Sequence, residues 1–152
     1  MIQRLGRILA IWFGCGLVPR APGTIGTLGA LPLYLLLAPA GTWGVVAGVV
    51  VLLPVSFWAA NVVVNQLGHH DPQVIVIDEV VGFLVACIPH PTGIREIAFA
   101  FVAFRIFDMT KPFPSRRAER LPGGYGVVMD DVFAGIWAAA TLVVARRMGL
   151  FG

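Results

Sequence analysis

The sequence predicts an all-α fold: a compact, membrane-embedded bundle of about six helices in one domain spanning residues 1–152. Three observations predict it. The chain is 58% hydrophobic and only 12% charged, with a mean hydropathy of +0.86. A soluble domain is about 45–50% apolar and about 25% charged. The apolar runs are of helical length and are separated by Gly- and Pro-rich breaks. The few acids lie inside those runs, where an ionised side chain is expensive without a partner. The composition also leaves open a small, entirely helical soluble core.

Residues 2–17 read as an amphipathic helix, with Arg4 and Arg7 placed to meet lipid phosphates. Its basic start and apolar run mimic a signal peptide. It lacks a small-x-small cleavage site, so it is expected to stay in the mature chain. Prolines 19 and 22 with Gly23 break any regular helix through 19–23. Thr24 and Thr27 then suit the cap of a helix starting near Ile25 and ending at about Leu37. Residues 43–60 are uncharged and form the clearest membrane span, with a kink expected at Pro54. The uncharged tip between these two helices belongs on the far side of the membrane by the positive-inside rule. Residues 61–73 are polar and read as a cytoplasmic connection, with His69 and His70 solvated beside Asp71.

Residues 74–88 form a short helix carrying Asp78 and Glu79, ended by the PHPTG segment in which His90 is a turn residue. Residues 94–110 return, and Pro112 ends that helix by disfavouring helical geometry at Lys111. Residues 112–126 are an arginine-bearing loop, placed in the cytoplasm by the same rule. The last helix covers about residues 127–145. The basic end ARRMGLFG conflicts with an external C-terminus. No internal repeat or linker appears.

The net charge of +3 and pI near 9.4 fit a membrane protein facing anionic headgroups. No arginine stripe with interleaved aromatics and no recognition motif points to nucleic acid. Cys15 and Cys87 lack metal-ligand spacing and read as reduced core thiols.

The chemistry gathers around residues 104–114, FRIFDMTKPFP. Arg105, Asp108 and Lys111 recur there at spacings of three. Asp78-Glu79 and Asp130-Asp131 are two further acidic pairs in apolar surroundings. Gly82 and Ala86 follow Asp78 at helical spacing, and Gly135 and Ala138 follow Asp131, so small residues let neighbouring helices approach. The three stretches are expected to converge on one pocket holding a divalent cation and a phosphate. Surplus carboxylates among apolar helices need a cation, and all-oxygen ligation suits Mg2+. The plainer reading is a structural Arg105–Asp108 salt bridge. Lys111, at a helix end, suits a phosphate clamp. Gly123 and Gly124 before the last helix, and Arg20 with Thr24 in RAPGTIGT, either meet an anion through backbone amides or serve as plain turns and caps.

Other phosphatase chemistries fail on spacing. Cys15 and Arg20 are too close for a cysteine phosphatase, and Asp108 lacks the second aspartate of an aspartyl-phosphate enzyme. A metal-activated water remains. A rival of another class is a small cation-coupled transporter or channel subunit, which would spread its acids through the depth of the bilayer.

Four stretches, at residues 21–34, 76–83, 104–114 and 123–135, resemble the bacterial phosphatidylglycerophosphatase A family, in family order and over most of the chain. The family more often has serine where Thr27 stands and an aliphatic pair at Met109-Thr110. The resemblance implies helices packed round a central acidic one. It also implies a Mg2+-dependent lipid phosphatase of the bacterial inner membrane that converts phosphatidylglycerophosphate to phosphatidylglycerol. By position, Asp78, Glu79, Asp108, Asp130 and Asp131 look like its acidic metal-site residues, and Arg20, Thr24, Arg105 and Lys111 like its phosphate-binding set. Asp131 or Glu79 is favoured to orient the attacking water.

Overall fold

A computed structural model describes residues 1–68 and 73–152, and the described residues are helical with no strand. His69, His70 and Asp71 lie outside the described residues. The helices are α1 (Ile2–Ala10), α2 (Pro22–Gly29), α3 (Leu31–Leu37), α4 (Gly41–Leu67), α5 (Ile77–Ala86), α6 (Ile94–Thr110), the single turn α7 (Ser115–Ala118) and α8 (Gly124–Arg147).

Helix α5 is the axis of the bundle. Every residue from Ile77 to Ala86 is buried except Glu79, which is half-buried. Such all-round burial suits a helix whose only polar groups are Asp78 and Glu79. It packs against α8, α4, α2 and α6. Glycines set the closest crossing. A Cβ on Gly135 would lie 2.2 Å from the Gly82 carbonyl oxygen, and one on Gly82 would lie 2.7 Å from the Asp131 carbonyl oxygen. The backbones of α5 and α8 therefore touch at the level of the acids. The main apolar core, with Tyr34, Phe83, Leu84, Phe104 and Leu142 fully buried, lies beyond this crossing.

Several boundaries differ from the expected ones, each for a local reason. The first segment stops at Ala10 and turns through a 3-10 stretch, with Trp12 and Phe13 at φ of 43° and 54°. Helix α2 begins at Pro22, not near Ile25, because proline is at home in a first turn whose amides need no helical partner. Its N-cap is Ala21, and Thr27 lies inside the helix, donating to the Gly23 carbonyl at 2.8 Å. Helix α4 runs through Pro54 and onward to Leu67, so residues 61–67, expected as connection, are helical. Helix α6 matches its expected bounds.

The molecule has two distinct ends. At one, the C-terminus of α6, the N-termini of α5 and α8, and α7 meet. At the other, Arg146 pairs with Glu96 at 2.7 Å, and its Nη2 donates to the His90 carbonyl at 2.8 Å. His90 Nε2 in turn lies 2.9 Å from the Ala38 carbonyl, which ties this end to the α3–α4 junction. Both cysteines are free thiols; Cys87 is buried and Cys15 half-buried.

Candidate functional site

At the first end a cavity of about 420 Å³ opens. Its acidic wall is Asp78, Glu79, Asp108, Glu119, Asp130 and Asp131, and its cationic groups are Arg105 and Lys111. Pro19, Ala21, Pro22 and Gly23 close one side at the start of α2. The approach there is tight: a Cβ on Gly23 would fall 2.1 Å from Glu79 Oε1. A side chain there would have to displace the Glu79 carboxylate from its place in the cavity.

The acids divide by their partners. One carboxylate oxygen from each of Asp78, Glu79 and Asp131 lies within 4.8 Å of the others. Asp78 Oδ1, Glu79 Oε2 and Asp131 Oδ2 are buried and accept no hydrogen bond from the described residues. Three converging carboxylates with orphaned oxygens are unfavourable unless a cation or protons sit among them. Glu79 has a distant cationic neighbour, Arg105 Nη1 at 3.9 Å.

The other acids already have cations. Asp108 Oδ2 lies 2.7 Å from Arg105 Nη1, although that nitrogen has no well-aligned hydrogen bond. The plain salt-bridge reading of this pair therefore describes a real contact at the edge of the site. Asp130 Oδ2 lies 2.7 Å from Lys111 Nζ, and its Oδ1 accepts the Asp131 amide at 3.1 Å. Lys111 also pairs with Glu119 Oε1 at 2.9 Å. Of the five acids expected at a cation, Asp78, Glu79 and Asp131 have oxygens that converge on one point, and Asp108 and Asp130 are ion-paired beside them. Burial works against the Lys111 charge, but its two carboxylate partners outweigh burial and hold the ammonium above the ordinary lysine range. Lys111 stands at φ 46° as the C-cap of α6, which swings its side chain away from the helix and across to α7 and α8.

Asp78, Glu79, Arg105, Asp108, Lys111, Asp130 and Asp131 thus share one cavity. Arg20, Thr24, Gly123 and Gly124 do not line it. Arg20 is exposed and Thr24 half-buried beside the cavity's α2 wall. The Gly124 amide, expected to face an anion, donates instead to Asn61 Oδ1 at 2.9 Å. That bond locks the start of α8 onto α4. Sequence reasoning missed Glu119, a lone acid in an arginine-rich loop, and Asn61, read as part of a connection.

An all-α chain with clustered carboxylates and paired cations around one cavity has the makings of a metal-assisted phosphate-ester hydrolase. A family profile described as phosphatidylglycerophosphatase A matches residues 8–146. The chain is 37% identical over 138 residues to phosphatidylglycerophosphatase A of Escherichia coli strain K12, covering 89% of this chain and 80% of that protein. It is 36% identical over 134 residues to the Haemophilus influenzae protein of the same name, covering 86% and 82%. It is 40% identical over 147 residues to a Bacteroides thetaiotaomicron protein provisionally named phosphatidylinositol-3-phosphatase, covering 91% and 92%. No solved structure gives a significant match. The chain belongs to the phosphatidylglycerophosphatase A family and is a lipid phosphatase.

Proposed function

We infer that the protein hydrolyses the terminal phosphomonoester of phosphatidylglycerophosphate, giving phosphatidylglycerol and inorganic phosphate, at the cytoplasmic face of a bacterial inner membrane. The observation that carries this reading is the set of three buried carboxylates with orphaned oxygens in a cavity that also contains Arg105 and Lys111. Family membership supplies the lipid substrate.

The donor set fits Mg2+. It is all oxygen, it is anionic, and its size leaves room for the waters and phosphate oxygens this ion retains. Asp78, Glu79 and Asp131 would hold it. When bound, the ion would supply Lewis acidity, drawing charge from the phosphoryl oxygens and making water a better nucleophile.

The chain's own residues do the remainder. Arg105 presents its guanidinium toward the phosphate while Asp108 fixes its position. Lys111, kept charged by Asp130 and Glu119, adds positive potential at the opposite wall. Asp131 or Glu79 orients the attacking water. Monoester hydrolysis is very slow unaided, and positioning plus charge neutralisation supply most of its catalysis. The apolar windows within residues 22–67 and α8 would keep the acyl chains in lipid. The acids gather at one end of the bundle, which favours an enzyme over a cation path through the bilayer.

The test is phosphate release by the purified protein from phosphatidylglycerophosphate in detergent. Release with Mg2+, its loss in chelator and its return on adding Mg2+ are expected. No release in Mg2+ would overturn the reading. The Bacteroides relative supports a second substrate, phosphatidylinositol 3-phosphate, and the same assay with that lipid ranks the two headgroups.

A further inference from the structure

A second concavity, of about 520 Å³, lies on the loop after α6 and shares Lys111 with the acidic cavity. Phe113, Arg116, Arg117 and Arg120 also line it, and no carboxylate does among the described residues. Lys111 turns its ammonium to Asp130 and Glu119 on the acidic-cavity side, so the charge facing this second pocket belongs to the three arginines. They are exposed, yet the pocket has a fixed edge. The Arg117 guanidinium carbon stands 5.0 Å from the Phe113 ring centre. The Phe113 carbonyl accepts from Trp137 Nε1 at 3.0 Å, which fastens the loop to α8. Phe113 in the pocket lining and Ile106 and Met109 on the last turns of α6 are 65%, 52% and 76% exposed, so apolar surface lies on the chain leading into the arginines. An anion that arrives with hydrocarbon attached fits this arrangement better than a free one.

We propose that the arginine pocket binds the phosphodiester of a glycerophospholipid, and that in the reacting complex this is the substrate's own phosphodiester. The proposal rests on the lipid-phosphatase reading above. Phosphatidylglycerophosphate carries a phosphodiester and a phosphomonoester joined by a glycerol. The two pockets meet at Lys111, so a substrate with one group on the arginines would direct the other toward the acidic cavity. Arginine's planar fork suits a phosphodiester, whose two free oxygens accept side by side. The pocket would thereby favour lipid monoesters that carry a second phosphate over simple soluble ones.

The experiment uses full-length protein in neutral detergent micelles, comparing wild type with the combined Arg116→Gln, Arg117→Gln and Arg120→Gln variant. Phosphatidylglycerol, which has only the diester, and inorganic phosphate serve as separate competitors. The expected result is a rise in KM for phosphatidylglycerophosphate of about tenfold or more, exceeding any fall in kcat. Inhibition by phosphatidylglycerol weakens by a similar factor, and inhibition by inorganic phosphate does not change. An unchanged KM overturns the proposal. So does a KM that is unchanged in the micelles but raised in a parallel assay in vesicles containing anionic lipid, which would make the arginines a contact for the bulk bilayer surface. Arg120→Gln alone should shift KM in the same direction by less, which keeps the test available if the triple variant folds poorly. Should wild type release no phosphate from the lipid, phosphatidylglycerol binding to both proteins in the same micelles still decides. Equal binding then rejects the pocket independently of the catalytic reading.

Discussion

Asp131 illustrates how one side chain links the chemistry to stability. Its Oδ2 is buried without a hydrogen-bond donor, and Asp78 and Glu79 crowd the same point. In chelator these charges oppose one another. Asp131→Asn should therefore raise the thermal midpoint in chelator, by about 2–4 °C if about 1 kcal/mol of repulsion is relieved. In millimolar Mg2+ the wild type should gain stability through binding and the variant should gain little. The same variant should lose phosphate release by about a hundredfold or more. A midpoint that responds to Mg2+ equally in both proteins would remove Asp131 from the cation site. Lys111 gives a prediction in pH. Its folded pKa is raised, so its ion pairs persist below the ordinary lysine value of about 10.4 and are lost only as pH rises through the higher folded value. A pH–activity profile should accordingly show no limb from Lys111 below about pH 10. An alkaline limb near pH 9 that vanishes in Lys111→Arg would contradict this. The charged residues were legible because ionised groups in apolar runs are conspicuous. The Arg105–Asp108 pair was legible from its spacing, but the partners of Lys111 were not, because Glu119 and Asp130 reach it from other elements. The Gly123–Gly124 pair was ambiguous for a different reason: an anion cradle and a plain helix start use the same residues. Only the Asn61 bond distinguishes them.

At the scale of elements, the site depends on how closely α5 and α8 approach. Gly82 and Gly135 let two backbones carrying acids meet, and a side chain at either position has nowhere to go. Gly135→Ala should cost about 1–3 kcal/mol as the helices part, and should lower activity because Asp131 moves with α8. A wild-type midpoint and wild-type turnover in Gly135→Ala would show that the crossing is looser than described. The small-residue spacing after Asp78 and Asp131 revealed this crossing in the sequence. Helix ends were harder to read. Polar residues after Ala60 imitate a loop, but Asn61 donates its side-chain Nδ2–H to the Phe57 carbonyl at 2.9 Å and stays within the helix. Pro22 imitates a breaker while occupying the first turn, where it is tolerated.

Across the whole molecule, charge separates the two ends. Arg116, Arg117 and Arg120 belong to the cavity end, as does Arg20 beside it. Arg4 and Arg7 lie on α1, which packs against α4, with Gly6 at Val62 near the same end. At the opposite end Arg146 is neutralised by Glu96, leaving Arg95 and Arg147. The positive-inside rule counts arginines whether paired or not, so the orientation expectation rests on the six arginines of the cavity end outnumbering Arg95, Arg146 and Arg147. In a Cys15→Ser background, a membrane-impermeant thiol reagent applied from the periplasm should label Ala40→Cys and not Arg120→Cys; the reverse pattern would invert the orientation. The proposed chemistry needs the three carboxylates from α5 and α8 to hold a divalent cation. Calorimetric titration of Mg2+ into the purified, chelator-stripped protein tests it most directly. The account predicts saturable binding to wild type that is lost in Asp78→Asn and in Asp131→Asn; no binding to wild type, or equal binding to all three proteins, would contradict it.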